Sequence, residues 1–339
     1  MPTIKDVARA AGCSTATVSR ALASPEKVSE ATRERVTRAI AEVGYAPNVA
    51  ARNLRRAESK TIVALLPDIS NPFFSEIING MEEEAHRAGY LVLIGDCEHD
   101  PARAEAYFGL LSTNQADGIL LLTAEVPRAL VRQADGRTDF PLVMACEFFA
   151  DLDLPTIAID NHQAACHAID YLASLGHRRI ATLSGPAANP ICVERVRGYR
   201  DTLTVHGLSG EARILEGDFG FRSGYQQGLA LLESPVTRPT AIFCHSDEMA
   251  IGVLKAARQL GIAVPERLSV VGFDNIGLSE YCEPELTTIS QPRNEIGREA
   301  MRLLLSLLRG ESAVRRQTLS TQLIVRQSTG RPAAEHSGG

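Results

Sequence analysis

The chain has 339 residues, 45% of them hydrophobic, so it is too long for one small core and apolar enough to fold over most of its length as two or three domains. Its formal net charge is −6, but residues 1–60 hold eleven Lys and Arg against six Asp and Glu, so an acidic total conceals a basic head. No apolar run approaches the ~18 residues of a membrane span, and no apolar stretch follows a basic start, which sets aside a membrane protein and a signal peptide and leaves a cytoplasmic protein as the expectation.

The head comes first. Ile4, Val7, Ala8 and Ala11 recur at helical spacing, Gly12 interrupts them, and Ser14 is placed to cap a second helix over about Thr15–Leu22. Val18, Ala21 and Leu22 would face inward, and Pro25 stops the helix. Ser29 is placed to cap a third helix, with Ala31, Val36, Ala39, Ile40 and Val43 as its buried stripe and Gly44 as its end. Two short helices across a Gly-containing turn form a helix-turn-helix, which sets the second helix in the major groove of DNA. Thr15, Ala16, Thr17, Ser19 and Arg20 remain for its outer face. Arg can pair with guanine O6 and N7, methyl groups can meet thymine, and hydroxyls more often hold phosphates. An isolated Arg20 would equally be a solvated surface residue; the pattern around it favours the DNA reading.

PNVAARNLRR, residues 47–56, can form two or three helical turns, too few to be stable alone in water. Leu54 either wedges into a minor groove or packs on the body; its Arg neighbours either meet DNA or form a solvated linker.

From Thr61 the rhythm changes to apolar strands alternating with amphipathic helices, which means parallel sheets covered on both faces. TIVALLP, YLVLIGD, GILLLT, PLVMA and PTIAID read as strands of a first unit, with helices at about 72–88 and 102–112. The pattern restarts with RRIATLSGP, ARILEGDF, TAIFCHSD and LSVVGFDN, separated by helices, and a late strand and long helix in LTTISQPRNEIGREAMRLLLSLLRG allow the chain to cross back. The expected division is a head over 1–46, a hinge and linker over 47–59, and a two-lobed body over 60–330. Lobe one takes about 60–160 and 291–320, lobe two about 161–290 and 321–330, and 331–339 is a flexible tail.

Polar residues gather at the strands' carboxyl ends: Asp68 to Phe74, Glu147 and Phe148, Asp160, Ser184 to Pro186, Asp218 and Phe219, His245 to Asp247, and Asp274. Open α/β sheets bind ligands there. Any single Asp could instead cap the next helix, but repetition in both units favours a cleft. The seven cysteines, with no C-x-x-C pair, read as reduced core residues. There is no phosphate-binding glycine motif, nucleophile elbow or H-E-x-x-H pattern, so neither enzyme chemistry, a metal nor a cofactor is expected. His177, His206 and His245 read as surface or hydrogen-bonding residues.

IKDVARAAG, STATVSRAL, GYAPNVAARNLR, SNPFF, DGILLL, AIDN, LGHRRI, FCHSDEMAIG and VPERLSVVGFDN together resemble the LacI-type transcriptional repressors, over residues 3–330. The resemblance implies a helix-turn-helix head on a body similar to periplasmic sugar-binding proteins. It implies a homodimer on palindromic operator DNA, controlled by a small effector, with a nucleoside such as cytidine favoured within the family. Thr15, Ala16 and Arg20 match its base-reading positions, Ser14, Thr17 and Ser19 its phosphate contacts, Asn48 the start of its hinge helix and Leu54 its inserted leucine. Phe73 or Phe74 and Phe219 stand where members cover a ring, Phe148 is a further effector-binding candidate, and Asp160, Arg195 and Asp274 match polar anchors. Asn189 stands where purine-responsive members carry an Arg, which argues against a guanine or hypoxanthine edge. A sugar-responsive regulator of the same fold, or an α/β enzyme with a DNA-binding head, are the alternatives.

Overall fold

A computed structural model describes residues 2–45, 58–127, 129, 131, 141–149, 151–311 and 315–333. They fall into two compact units that divide between Ser59 and Lys60. Asn48, Leu54 and the last six residues of the expected tail lie outside the described residues.

Among its described residues the head has three α-helices: α1 (Ile4–Ala10), α2 (Thr15–Ala23) and α3 (Glu30–Val43). Asp6 closes the start of α1 by accepting from the backbone N–H and hydroxyl of Thr3. Gly12 makes the turn at φ +60°, where a side chain would be strained. Ser14 caps α2, its hydroxyl accepting from the Thr17 N–H at 3.1 Å. Val7, Val18 and Val36 meet at the centre with Ala8, Ala11, Ala21 and Ala39. Two details differ from expectation. The Ser29 hydroxyl lies 2.9 Å from the Thr32 hydroxyl and caps no backbone N–H. Ala31 is exposed: at 100° per residue it stands about 140° round the helix from Val36, and Thr32 takes the inner position.

The body holds two six-stranded sheets. In the first the order is β11-β5-β4-β3-β1-β2, all parallel, with β1 (Thr61–Leu66), β2 (Leu91–Asp96), β3 (Gly118–Leu121), β4 (Leu142–Ala145), β5 (Thr156–Ile159) and β11 (Arg316–Leu319). In the second it is β12-β10-β9-β8-β6-β7, with β6 (Ile180–Ser184), β7 (Arg213–Glu216), β8 (Ala241–Cys244), β9 (Ser269–Asp274) and β10 (Thr287–Ser290). Only β12 (Gln322–Ile324) runs antiparallel to its neighbour. The central strands are continuous apolar runs buried on both faces, as parallel sheets require. Among the described residues, no helix is long and apolar enough to cross a membrane.

The helices of the first sheet include α4 (Phe73–Arg87) and α5 (Pro101–Ser112); those of the second are α6 (Asn161–Ser174), α7 (Pro190–Val205), α8 (Phe221–Leu232) and α9 (Asp247–Gln259). The long late helix α10 (Arg293–Leu308) returns to the first sheet, packing on β3, β4, β5 and α4. It approaches α4 closely because both carry glycine at the crossing: a Cβ on Gly80 would lie 2.1 Å from the Asn294 carbonyl oxygen, and one on Gly297 2.0 Å from that of Ile77. Glu84 of α4 accepts from Arg298 at 3.1 Å and Arg302 at 2.7 Å, which fixes the register of the pair. The chain therefore passes between the sheets three times, after β5, β10 and β11.

Candidate functional site

On the head, Thr15, Ala16 and Arg20 are exposed on the outer face of α2, opposite the side that carries Val18 and Ala21 into the core. They share a shallow open surface with Ser19, Ile4, Ser24 and Lys27. Lys27 was not anticipated; it follows α2 in the short 3-10 turn Pro25–Lys27 and adds a cation beside the reading face. Ser14 is committed to its cap, and Thr17 lies 2.9 Å from it.

In the body, the carboxyl ends of the two sheets enclose a cavity of about 380 Å³. Six of the eight anticipated effector residues reach it: Phe73, Phe74, Asn189, Arg195, Phe219 and Asp274. Two do not. Asp160 spends its carboxylate on the start of α6, accepting from the Gln163 N–H at 2.8 Å. Phe148 turns towards the outer strand β11, where the Arg316 guanidinium lies 5.7 Å from its ring centre. Strand-end position alone does not fix which way a side chain turns.

The walls are held by unusual backbone. Cys146, Phe219 and Asp274, all lining the cavity, have φ of +69°, +71° and +110°. Such conformations cost free energy and gather where surrounding structure aims side chains. The Phe219 ring lies against Gly185, where a Cβ would stand 2.3 Å from it. Phe73 and Phe74 meet edge-on across the cavity's other side, ring centres 5.1 Å apart.

Arg195 is 3% exposed. Its Nε donates to Asn161 Oδ1 at 2.8 Å and its Nη1 to the His245 carbonyl at 2.6 Å, while its guanidinium lies 3.7 Å over the Phe273 ring. Asp274 accepts from Gln291 Nε2 at 2.7 Å. Glu147, after β4, accepts from Asn189, before α7, at 3.0 Å, so this bond joins the first-sheet wall to the second; its other oxygen, Oε2, is enclosed with no partner among the described residues.

Burial pushes Glu147 up to about 7, against the pull of Asn189 and Arg195. It does the same to Asp274, against Arg195 and Gln291. Glu248 also reaches about 7, through burial and the nearby Asp274, Asp68 and Asp218 carboxylates. Near neutral pH the cavity thus offers both carboxyl donors and carboxylate acceptors. Gln291 escaped sequence reasoning; Glu147 and His245 stand at strand ends, the same signal that marked Asp274, but are not among the anticipated effector residues. Among the described residues no group of three His, Cys, Asp or Glu is arranged to hold a metal ion.

A helix-turn-helix head with its reading face exposed, and a two-lobed body enclosing a polar cavity with aromatic walls, define a DNA-binding repressor that responds to a ligand. Residues 3–48 match the bacterial regulatory proteins of the lacI family, and residues 169–329 match the periplasmic binding protein-like domain. The chain is 49% identical over 330 residues to the HTH-type transcriptional repressor CytR of Escherichia coli (strain K12), covering 96% of each. It is 36% identical over 331 residues to the HTH-type transcriptional repressor PurR of Vibrio atlanticus (strain LGP32), covering 97% of this chain and 98% of that one. Among solved structures, the lac repressor dimer bound to operator and the anti-inducer ONPF superposes with a TM-score of 0.87 at 28% identity, covering 97% of this chain and 99% of that one. The cellobiose complex of the regulator CelR gives 0.71 at 32%, covering 97% and 100%. The chain belongs to the lacI family of bacterial regulatory proteins.

Proposed function

We propose that the effector is a nucleoside such as cytidine, bound between the lobes, and that its binding changes the affinity of a homodimer for a palindromic operator. The observation that carries this reading is the meeting of Phe73 and Phe219, from opposite walls, with Arg195 and Asp274 in one cavity. Aromatic faces hold a flat base, while carboxyl and carboxylate groups answer ribose hydroxyls. Six carboxyl groups line the cavity: Asp68, Glu125, Glu147, Asp218, Glu248 and Asp274. Arg195, the guanidinium among the lining residues, already gives two donors to protein, so the lining opposes a phosphate. The likeness of SNPFFSEIINGMEEEA, YLVLIGDC and PTIAIDN to the cytidine repressor points the same way.

In the head, Thr15, Ala16 and Arg20 read bases, and Ser14, Thr17 and Ser19 hold phosphates. Asn48, which opens the proposed hinge of residues 47–59, holds a phosphate, and Leu54 enters the minor groove. Exposed Leu91 and Leu93 on the edge strand β2 supply an apolar surface for pairing of two copies. Ligand and operator are coupled reciprocally: whatever the ligand does to operator affinity, operator does to ligand affinity. The protein acts as a sensor and leaves its ligand unchanged.

The structural neighbour that binds cellobiose favours a second reading, a sugar-responsive regulator. Thermal-shift titration of the full chain with cytidine, uridine, adenosine, cytidine monophosphate, ribose and glucose separates the two. A shift with a nucleoside and none with its monophosphate or the sugars is expected. A shift with a sugar alone overturns the nucleoside assignment, and conversion of a bound riboside to free base, read by chromatography, overturns the sensor.

A further inference from the structure

The described residues include two fully buried histidines that the fold treats in opposite ways. His177 is 1% exposed and its ring is fully engaged: Nδ1 lies 3.0 Å from the Thr240 hydroxyl, and Nε2 lies 3.0 Å from both the Ser269 hydroxyl and the Gly330 carbonyl. His245 is 0% exposed, and neither ring nitrogen has a hydrogen-bond partner among the described residues. Burying polar groups unpaired costs free energy, and an apolar ring would serve packing there better.

The backbone gives His245 little freedom to seek a partner elsewhere. Its N–H donates to the Leu183 carbonyl at 2.9 Å, and its own carbonyl accepts from Arg195 at 2.6 Å. The next residue, Ser246, caps α9 by accepting from the Met249 N–H at 3.1 Å, and donates to the Phe219 carbonyl at 2.6 Å. The ring rests 5.3 Å from that of Phe243, and His245 is among the residues that line the cavity with Arg195 and Asp274.

We propose that His245 is a specificity-determining residue of this cavity, its imidazole exchanging a hydrogen bond directly with the bound nucleoside. The inference rests on the nucleoside reading and adds the group that reads it. Burial and the neighbouring Arg195 cation hold the imidazole well below its ordinary range, so it stays neutral. It then presents one N–H and one bare nitrogen. A ribose hydroxyl, or the amino and ring-nitrogen edge of a base, can meet either. A phosphate meets only the N–H, among a surplus of carboxyl groups.

The test is calorimetric titration of the full-length protein and its H245F, H245L and H245N variants with cytidine, uridine and ribose. Each variant's ligand-free melting temperature is measured alongside. H245F removes both nitrogens and keeps a ring. It should weaken nucleoside binding at least tenfold, while its ligand-free melting temperature stays at or above that of the wild type, because an unpaired buried polar group has gone. H245N, which keeps a donor and an acceptor, should recover part of the affinity. Equal losses for cytidine and uridine place the bond on a group the two share, the ribose or the O2 carbonyl; a loss confined to one places it on the N3 and 4-position edge of the base. A dissociation constant for H245F within twofold of the wild type overturns the proposal. So does a fall in ligand-free melting temperature with no recovery in H245N, which would mark a structural role. H245L replaces H245F should the latter not fold, and failure of both to fold also overturns it. If the wild type takes ribose and neither nucleoside, the nucleoside reading fails and the ribose titration of H245F decides His245. Binding of none of the three by the wild type overturns both.

Discussion

In the head, Thr15, Ala16 and Arg20 stand exposed on a helix whose opposite side builds a core of small residues. In the body, Arg195 on α7 and His245 and Asp274 at strand ends are buried, among groups that the fold would sooner leave in water. The side chains proposed to read DNA take no part in the head's core, so they can change without touching its stability. The body's are part of the interior, so binding and stability are written on the same residues. A repressor of this kind separates the two tasks physically. On the proposed roles, what reads DNA is displayed, and what reads the ligand is enclosed.

Three measurements would break or sharpen that contrast. The largest effect is expected from Val18→Asp. Val18 is fully buried at the head's centre, and an unpaired carboxylate there costs several kcal/mol, on the order of what a small domain has in total. Specific operator binding should vanish in a gel-shift titration, while ligand binding by the body persists. Retained operator affinity would show that the head's core is not what presents α2.

Next comes Glu147→Gln. Because burial raises Glu147 to about 7, its carboxyl stays protonated in the fold at pH values where the unfolded chain has already released the proton. Its contribution is therefore fully present below the ordinary carboxylate range and is lost as pH rises towards about 7. Glutamine removes that loss and can still accept from Asn189. Urea unfolding without ligand should show the variant more stable than the wild type by up to about 3 kcal/mol at pH 8, with the gap closing by pH 4. The buried His245, lowered instead, works in the opposite direction as pH falls below its ordinary range in both proteins, so the comparison isolates Glu147. A gap independent of pH would mean that ionisation of this carboxyl is not what the fold opposes.

The smallest effect on stability is expected from Arg20→Ala. Melting should not change, because Arg20 is exposed. Operator affinity should fall by about 1–3 kcal/mol per half-site, with random DNA affected much less. An equal loss on both would assign Arg20 to phosphate.

The head and the ten strands β1 to β10 were legible because their signals are local: Gly12 and Ser14 mark a turn and a cap, and each central strand is a continuous apolar run. β11 and β12 were not singled out. RQTL and QLI are short and half polar, as edge strands with one side in solvent are. The cavity was legible as a set of strand ends, but not in detail. Asp160 and Asp274 both follow a strand, yet one caps a helix and the other, at φ +110°, lines the cavity. Phe148 is adjacent to Glu147 and faces elsewhere. His245 was read as a surface or hydrogen-bonding residue although it stands among the strand-end polar residues; its place in the cavity lining and the absence of a partner for its buried ring distinguish it from His177.

The three passages between the sheets also set an order of events as the chain is made. The head is complete within the first 45 residues and can fold while the ribosome is still reading the body. The first sheet cannot close until β11 emerges, after nearly all of the second sheet, and the second must then wait for β12. Neither lobe exists as a finished object before the other. The nascent protein should therefore acquire its DNA-reading surface early and its ligand sense last, so that a molecule interrupted late in synthesis carries the reader without its control.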